Sequence, residues 1–331
     1  MDFNMLMSKI YVVVPNLNGE DYLQECLDSL QELTIYHQIV VVDNGSTDES
    51  LSILDSYEDI IVISKETNTG FTGGVNTGIE YALSREADAV ALFNNDAVAA
   101  KDWLEKLAKG LGEEVAGIST SKILLEDRKH LDSTGDFVTI WGVPFPRGRH
   151  EVDSGQYDDN QDVFGASGGA SLYRAEMLEE IGLFDDDFFA YLEDVDISFR
   201  AQAAGWKVKY APQAKVYHKL SATSSKLGKD FAFYHFVKNF ILLYTRNMPT
   251  KLLIKYSPLF IIHLARLGVG SLLRGQIATF IKSVWATVKL TPQTLSKRKH
   301  RQSLRVLSAN EIDNKLYRGL PPRPPALQDD D

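Results

Sequence analysis

Cysteine is nearly absent, with Cys26 the single example in 331 residues. One thiol cannot form an intrachain disulfide or a cysteine-ligated metal cluster, and such usage suits a reducing cytosol. Cys26 lies in the amphipathic stretch Leu23 to Leu30, where a small apolar filler is expected. Long hydrophobic runs are also missing. No stretch of about 18 uncharged apolar residues occurs, so the sequence predicts no membrane-spanning segment. Residues 1–8 lack the basic segment and apolar stretch of a secretory signal. A phosphate loop ending in Gly-Lys-Ser/Thr does not occur, and NTGFTGGVNTG carries glycines at 70, 73, 74 and 78, which is not the dinucleotide fingerprint GxGxxG. That segment reads instead as a glycine-rich helix start. It permits either close ligand approach, with Asn76 one turn inside, or close packing on a sheet.

What is present is acid, unevenly placed. The chain is 44% hydrophobic, enough for a substantial core, with a net charge of -10. Residues 1–218 hold 16 Lys and Arg against 39 Asp and Glu, whereas residues 219–305 hold 16 against the single acid Asp230. An acidic body with a basic appendage implies an anionic partner such as a membrane surface, or mutual neutralisation across an internal interface.

Short β-branched runs at Lys9 to Val14, Gln38 to Val42, Ile60 to Ile63 and Asp88 to Phe93 alternate with helical patterns at Glu20 to Leu33, Asp48 to Tyr57 and Gly73 to Ser84. The pattern predicts an α/β fold with a mostly parallel sheet flanked by helices, in which ligands gather at the carboxyl ends of the strands. Further strands are expected at Val115 to Ser119, Ala170 to Tyr173, Val208 to Tyr210 and Ala214 to Tyr217, with a helix over Asp194 to Ala204. Pro144 to Asp162, rich in charge, glycine and proline, reads as a mobile surface loop. The division expected is a nucleotide-binding and catalytic unit over 1–220, a basic amphipathic helical extension over 221–305, and a tail over 306–331 that is disordered towards its end.

Polar residues end the predicted strands. In VVVDNGSTDES, Ser46 and Glu49 fit a capping box, and Asp43 is either a turn residue or an acceptor for a pyrimidine N–H. In LFNNDA, a buried strand runs into Asn94, Asn95 and Asp96, an oxygen-rich set that suits Mg²⁺ or Mn²⁺ already partly ligated by phosphate. In FFAYLEDVDISFR, the acids Glu193, Asp194 and Asp196 crowd a helix start. Capping explains one acid there, but mutual repulsion raises a pKa towards the range of a general base. An aromatic collar of Phe188, Phe189, Tyr191 and Phe199 is expected around them. His218 closes a strand and gains a ligand role if the fold brings it to Asp96.

Taken in order, VVVPNLNG, VVVDNGSTDES, NTGFTGGVNTG, LFNNDA, GASGGASLYR, GLFDDDFFAYLEDVDISFRAQAAGW and VYH resemble the inverting nucleotide-sugar glycosyltransferases of family 2, with the GT-A fold, and within them the rhamnosyltransferase-like branch. The resemblance covers about residues 9 to 220. It implies that Asp43 meets the nucleobase, that Pro15, Asn18 and Asn76 line the nucleoside, and that Asn94-Asn95-Asp96 replaces an Asp-x-Asp signature. Asp96 and His218 then hold the metal, Gly168 and Gly169 flank the acceptor, and Asp194 is the catalytic base. Asn68, Glu193 and Trp206 complete the predicted substrate-binding set.

The implied reaction moves a sugar from TDP-rhamnose or a UDP-sugar to a glycan or polyprenyl-linked acceptor in bacterial surface-polysaccharide synthesis. The implied setting is the cytoplasmic face of an anionic membrane, with no nucleic-acid partner. Apolar helix faces also permit a homo-oligomer. Rival readings are a sugar nucleotidyltransferase, although VPNLNG lacks the basic signature such an enzyme needs, and a noncatalytic carbohydrate-binding protein, which has no use for clustered acids.

Overall fold

A computed structural model describes residues 7–219 and 228–327. The alternating first hundred residues form β1 (Ile10–Asn16), α1 (Leu23–Gln31), β2 (Gln38–Asp43), α2 (Ser50–Leu54), β3 (Ile60–Ser64), α3 (Gly70–Ser84) and β4 (Ala89–Phe93). These four strands are parallel, with β1 between β2 and β4 and with β3 outside β2. Their unbroken apolar runs follow from burial on both faces. Along β1, Ile10, Val12 and Val14 join the cluster containing Leu23, Leu27 and Trp103, while Tyr11 and Val13 join the one containing Val75 and Ile79 of α3. Gly78 permits this approach of α3, since a Cβ there would lie 2.3 Å from Cγ1 of Val13. Packing explains that glycine.

The chain continues through β5 (Ala97–Ala99), α4 (Trp103–Gly110), β6 (Ala116–Leu125), β7 (Leu131–Ser133), β8 (Asp136–Val138), β9 (Pro144–Pro146), β10 (Asp162–Val163), β11 (Ala170–Arg174), α5 (Ala175–Ile181), α6 (Glu193–Ala203) and β12 (Lys207–His218). The sheet runs β10-β12-β6-β11-β4-β1-β2-β3, with β5 on β12 and β7 on β6, and β11 is antiparallel to both of its neighbours. The two strands expected after residue 207 are one, with a register shift against β6 between Ala211 and Lys215. Pro212 falls inside that shift, where its missing N–H cannot serve the ladder.

Pro144 to Asp162 is not the mobile loop that its composition suggests. Its start pairs with β8 as a hairpin. The buried Arg147 donates to the carbonyls of Thr134 and Asn160, and its guanidinium lies 4.8 Å from the Tyr157 ring centre and 5.1 Å from that of Tyr210. A buried guanidinium needs such partners, and here they fix the segment.

Beyond β12 come α7 (Lys229–Asn247), α8 (Thr250–Leu273), α9 (Ile277–Lys289), α10 (Thr291–Leu304) and α11 (Ala309–Lys315). Phe240, Tyr244 and Phe260 from α7 and α8 form a third core with Phe188, Val195 and Phe199 around α6. Part of the charge asymmetry is neutralised internally. Arg246, Lys297 and Arg301 pair with Asp185, Asp187 and Asp196 of the acidic body. The tail is ordered as far as Tyr317. Ser308 and Glu311 form a capping box, Ile312 and Leu316 are buried, and Tyr317 bridges to Thr139. Residues 320–327 carry no helix or strand, and the end of the predicted disordered tail, 328–331, lies outside the described residues. Among the described residues α8, with 24 residues, is long and apolar enough to cross a membrane by length and composition alone.

Candidate active site

The parallel register sets Asn16 opposite Asp43, so the carboxyl ends of β1 and β2 finish at one level. A cavity of about 470 Å³ opens above these ends and that of β4. Pro15, Asn16, Asn44, Asn68, Asn94, Asn95, Asp96, Gly168, Gly169, Glu193, Asp194 and His218 line it.

His218 reaches Asp96 through strand pairing. β5 follows the Asn94–Asp96 turn directly and runs antiparallel to the end of β12, with Ala97 opposite His218. Nε2 of His218 then lies 3.1 Å from Oδ1 of Asp96, and Nδ1 lies 3.0 Å from Oδ2 of Asp132. A neutral imidazole has one N–H and cannot donate to both carboxylates. Burial works against the charged ring, yet the bonds to Asp132 and Asp96 raise its pKa to about 10. The same contact outweighs burial at Asp132 and lowers that carboxyl.

An incoming ion would displace the Nε2 proton while Nδ1–H stays on Asp132, and Nε2 and the Asp96 carboxylate would then offer one nitrogen and hard oxygens to the cavity. Among the described residues no group of three or more His, Cys, Asp or Glu is disposed to hold an ion alone. The pair fits an ion that takes its remaining ligands from a diphosphate.

The amides before Asp96 play different parts. Asn95 is buried and donates to Oδ1 of Asn16 at 2.7 Å, and Asn16 donates to Asp43 at 2.9 Å. This chain ties three strand ends together. Asn94 faces Gly169, where a Cβ would come 2.9 Å from the Asn94 amide nitrogen.

Asp194 owes its position to the turn before it. Phe189, Tyr191 and Leu192 have φ of 65°, 70° and 66°, a strained conformation for residues with side chains. Helix α7 holds this turn. The Asn239 amide reaches the carbonyls of Phe188, Ala190 and Tyr191 at 2.7–3.0 Å, and the Lys238 ammonium reaches that of Asp187 at 2.6 Å. Asp194 then accepts from Gly168 N–H at 3.0 Å and Val195 N–H at 2.8 Å. Burial raises its carboxyl pKa despite those bonds. Burial and the neighbouring Asp194 charge push Glu193 well up, and its Oε2 is buried without a hydrogen-bond partner.

Several predicted site residues sit elsewhere. Asp196 is fully buried away from the cavity, bonded to Arg301, Asn247 and Arg200 at 2.6–3.0 Å, so it does not crowd Asp194. Of the aromatic collar, Phe189 and Tyr191 line the cavity, while Phe188 and Phe199 lie in the third core. The Asn76 amide is occupied by Phe184 and Asp186 and does not line the cavity. Trp206 is also outside it, donating to Glu180 at the opposite end of β12.

Asp43 is 1% exposed, and both its oxygens accept from Ser46. The expected Ser46 capping box is therefore absent, and Glu49 takes the N-cap position of α2. Asn18 binds the same turn through Thr47 N–H at 2.8 Å. Neither Asp43 nor Asn18 lines the cavity.

Other lining residues were not anticipated. Asp132, Asp136 and Arg149 come from the segment around the β8–β9 hairpin, and Phe231 and Phe236 come from α7. Nothing in their local sequence marks them, because only the folding of the hairpin and extension over the sheet brings them in. Asp136 is raised to about 7 by burial and then by Asp194.

The model for glycosyl transferase family 2 matches residues 11–182. A curated relative, the dTDP-rhamnosyl transferase RfbF of Shigella flexneri, is 26% identical over 77% of this chain and 87% of its own. Among solved structures, S. aureus TarS 1–349 in complex with UDP-GlcNAc superposes with TM-score 0.56 and 19% identity, covering 93% of both chains. The mannosyltransferase PcManGT of Pyrobaculum calidifontis, in complex with GDP-Man and Mn²⁺, gives 0.53 and 15%, covering 89% and 86%. The chain belongs to glycosyl transferase family 2 and is a glycosyltransferase of GT-A architecture.

Proposed function

We propose that the protein transfers a sugar, with inversion, from a nucleoside diphosphate to a hydroxyl of a glycan or polyprenyl-linked acceptor during surface-polysaccharide synthesis. The observation carrying this reading is the convergence of Asp96, His218 and Asp194, remote in sequence, on one cavity. TDP-rhamnose is the leading donor, on the strength of the Shigella relative, and UDP-sugars are the second choice because TarS binds UDP-GlcNAc.

Asp96 and His218 Nε2 would hold Mg²⁺ or Mn²⁺ against the diphosphate, where the ion supplies positive charge as the leaving group becomes anionic. Arg149, lining the same cavity, adds a guanidinium for phosphate oxygens. The C1–O bond to the diphosphate breaks and its electron pair leaves with the phosphate. On the opposite face the acceptor oxygen forms the new bond to C1, and its proton passes to Asp194. The Gly168 and Val195 N–H groups hold the Asp194 carboxylate while it receives that proton. Glu193, whose carboxyl pKa is pushed well up by burial and the Asp194 charge, faces the same cavity and is placed to meet a sugar hydroxyl.

In this reading residues 1–220 bind and catalyse, and the extension faces the inner surface of the cytoplasmic membrane. The test incubates the protein with Mn²⁺, a series of glycan and polyprenyl-linked acceptors and either TDP-rhamnose or UDP-sugars, and follows nucleotide release and product configuration. A β-linked product from a donor with an α-linked phosphate, or the converse, is expected. Retained configuration, or release of pyrophosphate, would overturn the reading.

A further inference from the structure

Ten of the nineteen large apolar side chains exposed among the described residues fall between Ile254 and Leu295. They are ordered by helical period. On α8, Leu252, Tyr256 and Phe260 are buried against α7 and its neighbours, whereas Ile254, Ile261, Val269 and Leu272 follow the opposite face. On α9, Ile281, Trp285 and Val288 continue the exposed crest. Arg266, Arg274, Lys282 and Lys289 are interspersed, and none of the four makes an ion pair with a described residue. No Asp or Glu occurs from Phe231 to Asn310. An apolar crest among cations with no acid is complementary to an anionic bilayer surface, whose headgroups take the cations and whose acyl boundary takes the crest.

The connections decide between lying on a membrane and crossing it. Arg246, just before α8, binds Asp185 at 2.7 Å, and Arg301, after α9, binds the same carboxylate at 2.5 Å. The hairpin therefore leaves the catalytic body and returns to it on one side. A crossing by α8 would require α9 to cross back, and its 13 residues span about 20 Å against about 30 Å of hydrocarbon.

The hairpin tip also lies beside the cavity. Gln276 donates to Asp230 at 2.8 Å, and the Arg274 guanidinium lies 5.6 Å from the Phe233 ring centre, next to the cavity-lining Phe231.

We infer that the α8–α9 hairpin is an interfacial docking surface that lies in the plane of an anionic bilayer without spanning it, and sets the cavity beside the lipid headgroups. The inference deepens the transferase reading only by saying where a lipid-linked acceptor is met.

The test uses the full-length protein without nucleotide, floated with vesicles of phosphatidylcholine alone or mixed with phosphatidylglycerol. Binding to the anionic vesicles, release by alkaline carbonate, and quenching of Trp285 by brominated acyl chains are expected. Combined Leu272→Glu and Trp285→Glu should weaken binding at least about tenfold, and combined Lys282→Gln and Lys289→Gln should weaken the anionic preference by about tenfold. Equal binding to both vesicles, unchanged binding by the crest variant, or resistance to carbonate would overturn the proposal. So would a dimer of the free protein that the crest substitutions dissociate, since a second copy would then own the face. Nucleotide release during sugar transfer to a soluble acceptor, measured without vesicles, should be unaltered in both variants. Its absence alongside intact vesicle binding would sink the transferase reading alone.

Discussion

Oδ1 of Asp96 and Nε2 of His218 lie 3.1 Å apart across 122 positions of sequence, held there by the antiparallel pairing of β5 with the end of β12. If this pair holds the ion, EDTA should abolish transfer and Mn²⁺ or Mg²⁺ should restore it. The variant Asp96→Ala should stay inactive at any metal concentration. Full activity in EDTA would remove the ion from the mechanism.

Asp194 touches the cavity through a carboxylate held by two backbone N–H groups. The variant Asp194→Asn keeps shape and loses basicity. It should lower kcat by about 10²–10⁴-fold while leaving nucleotide affinity unchanged. Single-turnover kinetics with calorimetric nucleotide binding separates the two effects, and a near native rate would refute the base assignment.

Asp136 has its pKa raised from 3.8 to about 7 by burial and by Asp194. The folded state thus binds this proton more tightly than the unfolded state. Its contribution to stability is greatest at low pH and is lost as pH rises from about 4 to about 7. Asp136→Asn should therefore stabilise the protein by about 1–3 kcal/mol near pH 8 and by little near pH 4. Denaturant melts at the two pH values test this, and equal effects at both would contradict it.

The turn that aims Asp194 is held from the extension. Asn239→Ala removes a donor to three carbonyls of the strained segment, and should lower kcat more than it changes nucleotide affinity. Arg301→Met leaves Asp185 and Asp196 with one cation fewer, and should cost about 3 kcal/mol in chemical denaturation. If Asn239→Ala unfolds no more easily and catalyses normally, α7 has no part in positioning the base.

Gly70 has φ of +78°, and a Cβ on it would meet the Phe189 carbonyl oxygen at 2.5 Å. Gly70→Ala should therefore disturb the same turn from the nucleotide side, by about 1–2 kcal/mol of backbone strain before any clash is relieved. A crystal structure of the variant with Phe189 unmoved would refute that coupling.

Local chemistry made much of this legible. Apolar runs such as Ile10 to Val14 declare strands buried on both faces, and polar residues directly after them mark the ligand edge of the sheet. Asp196 was misjudged because adjacency in sequence resembles adjacency in space. Its side chain lies on the other flank of α6, where the Asn247 amide of α7 and the Arg301 guanidinium of α10 bind it. Asp136, Arg149 and Phe231 carried no local signal, since each lies in a segment whose role depends on what it folds against.

By itself, then, the sequence determined the alternation of strands and helices, the motifs of the family and the acids near the reacting centre, because these depend on periodicity and residue type within a few positions. Tertiary structure alone decided which acids face the cavity, that His218 meets Asp96, and that a basic extension braces the turn before Asp194. Those outcomes rest on strand register and buried ion pairing between distant segments, and no window along the chain contains both partners.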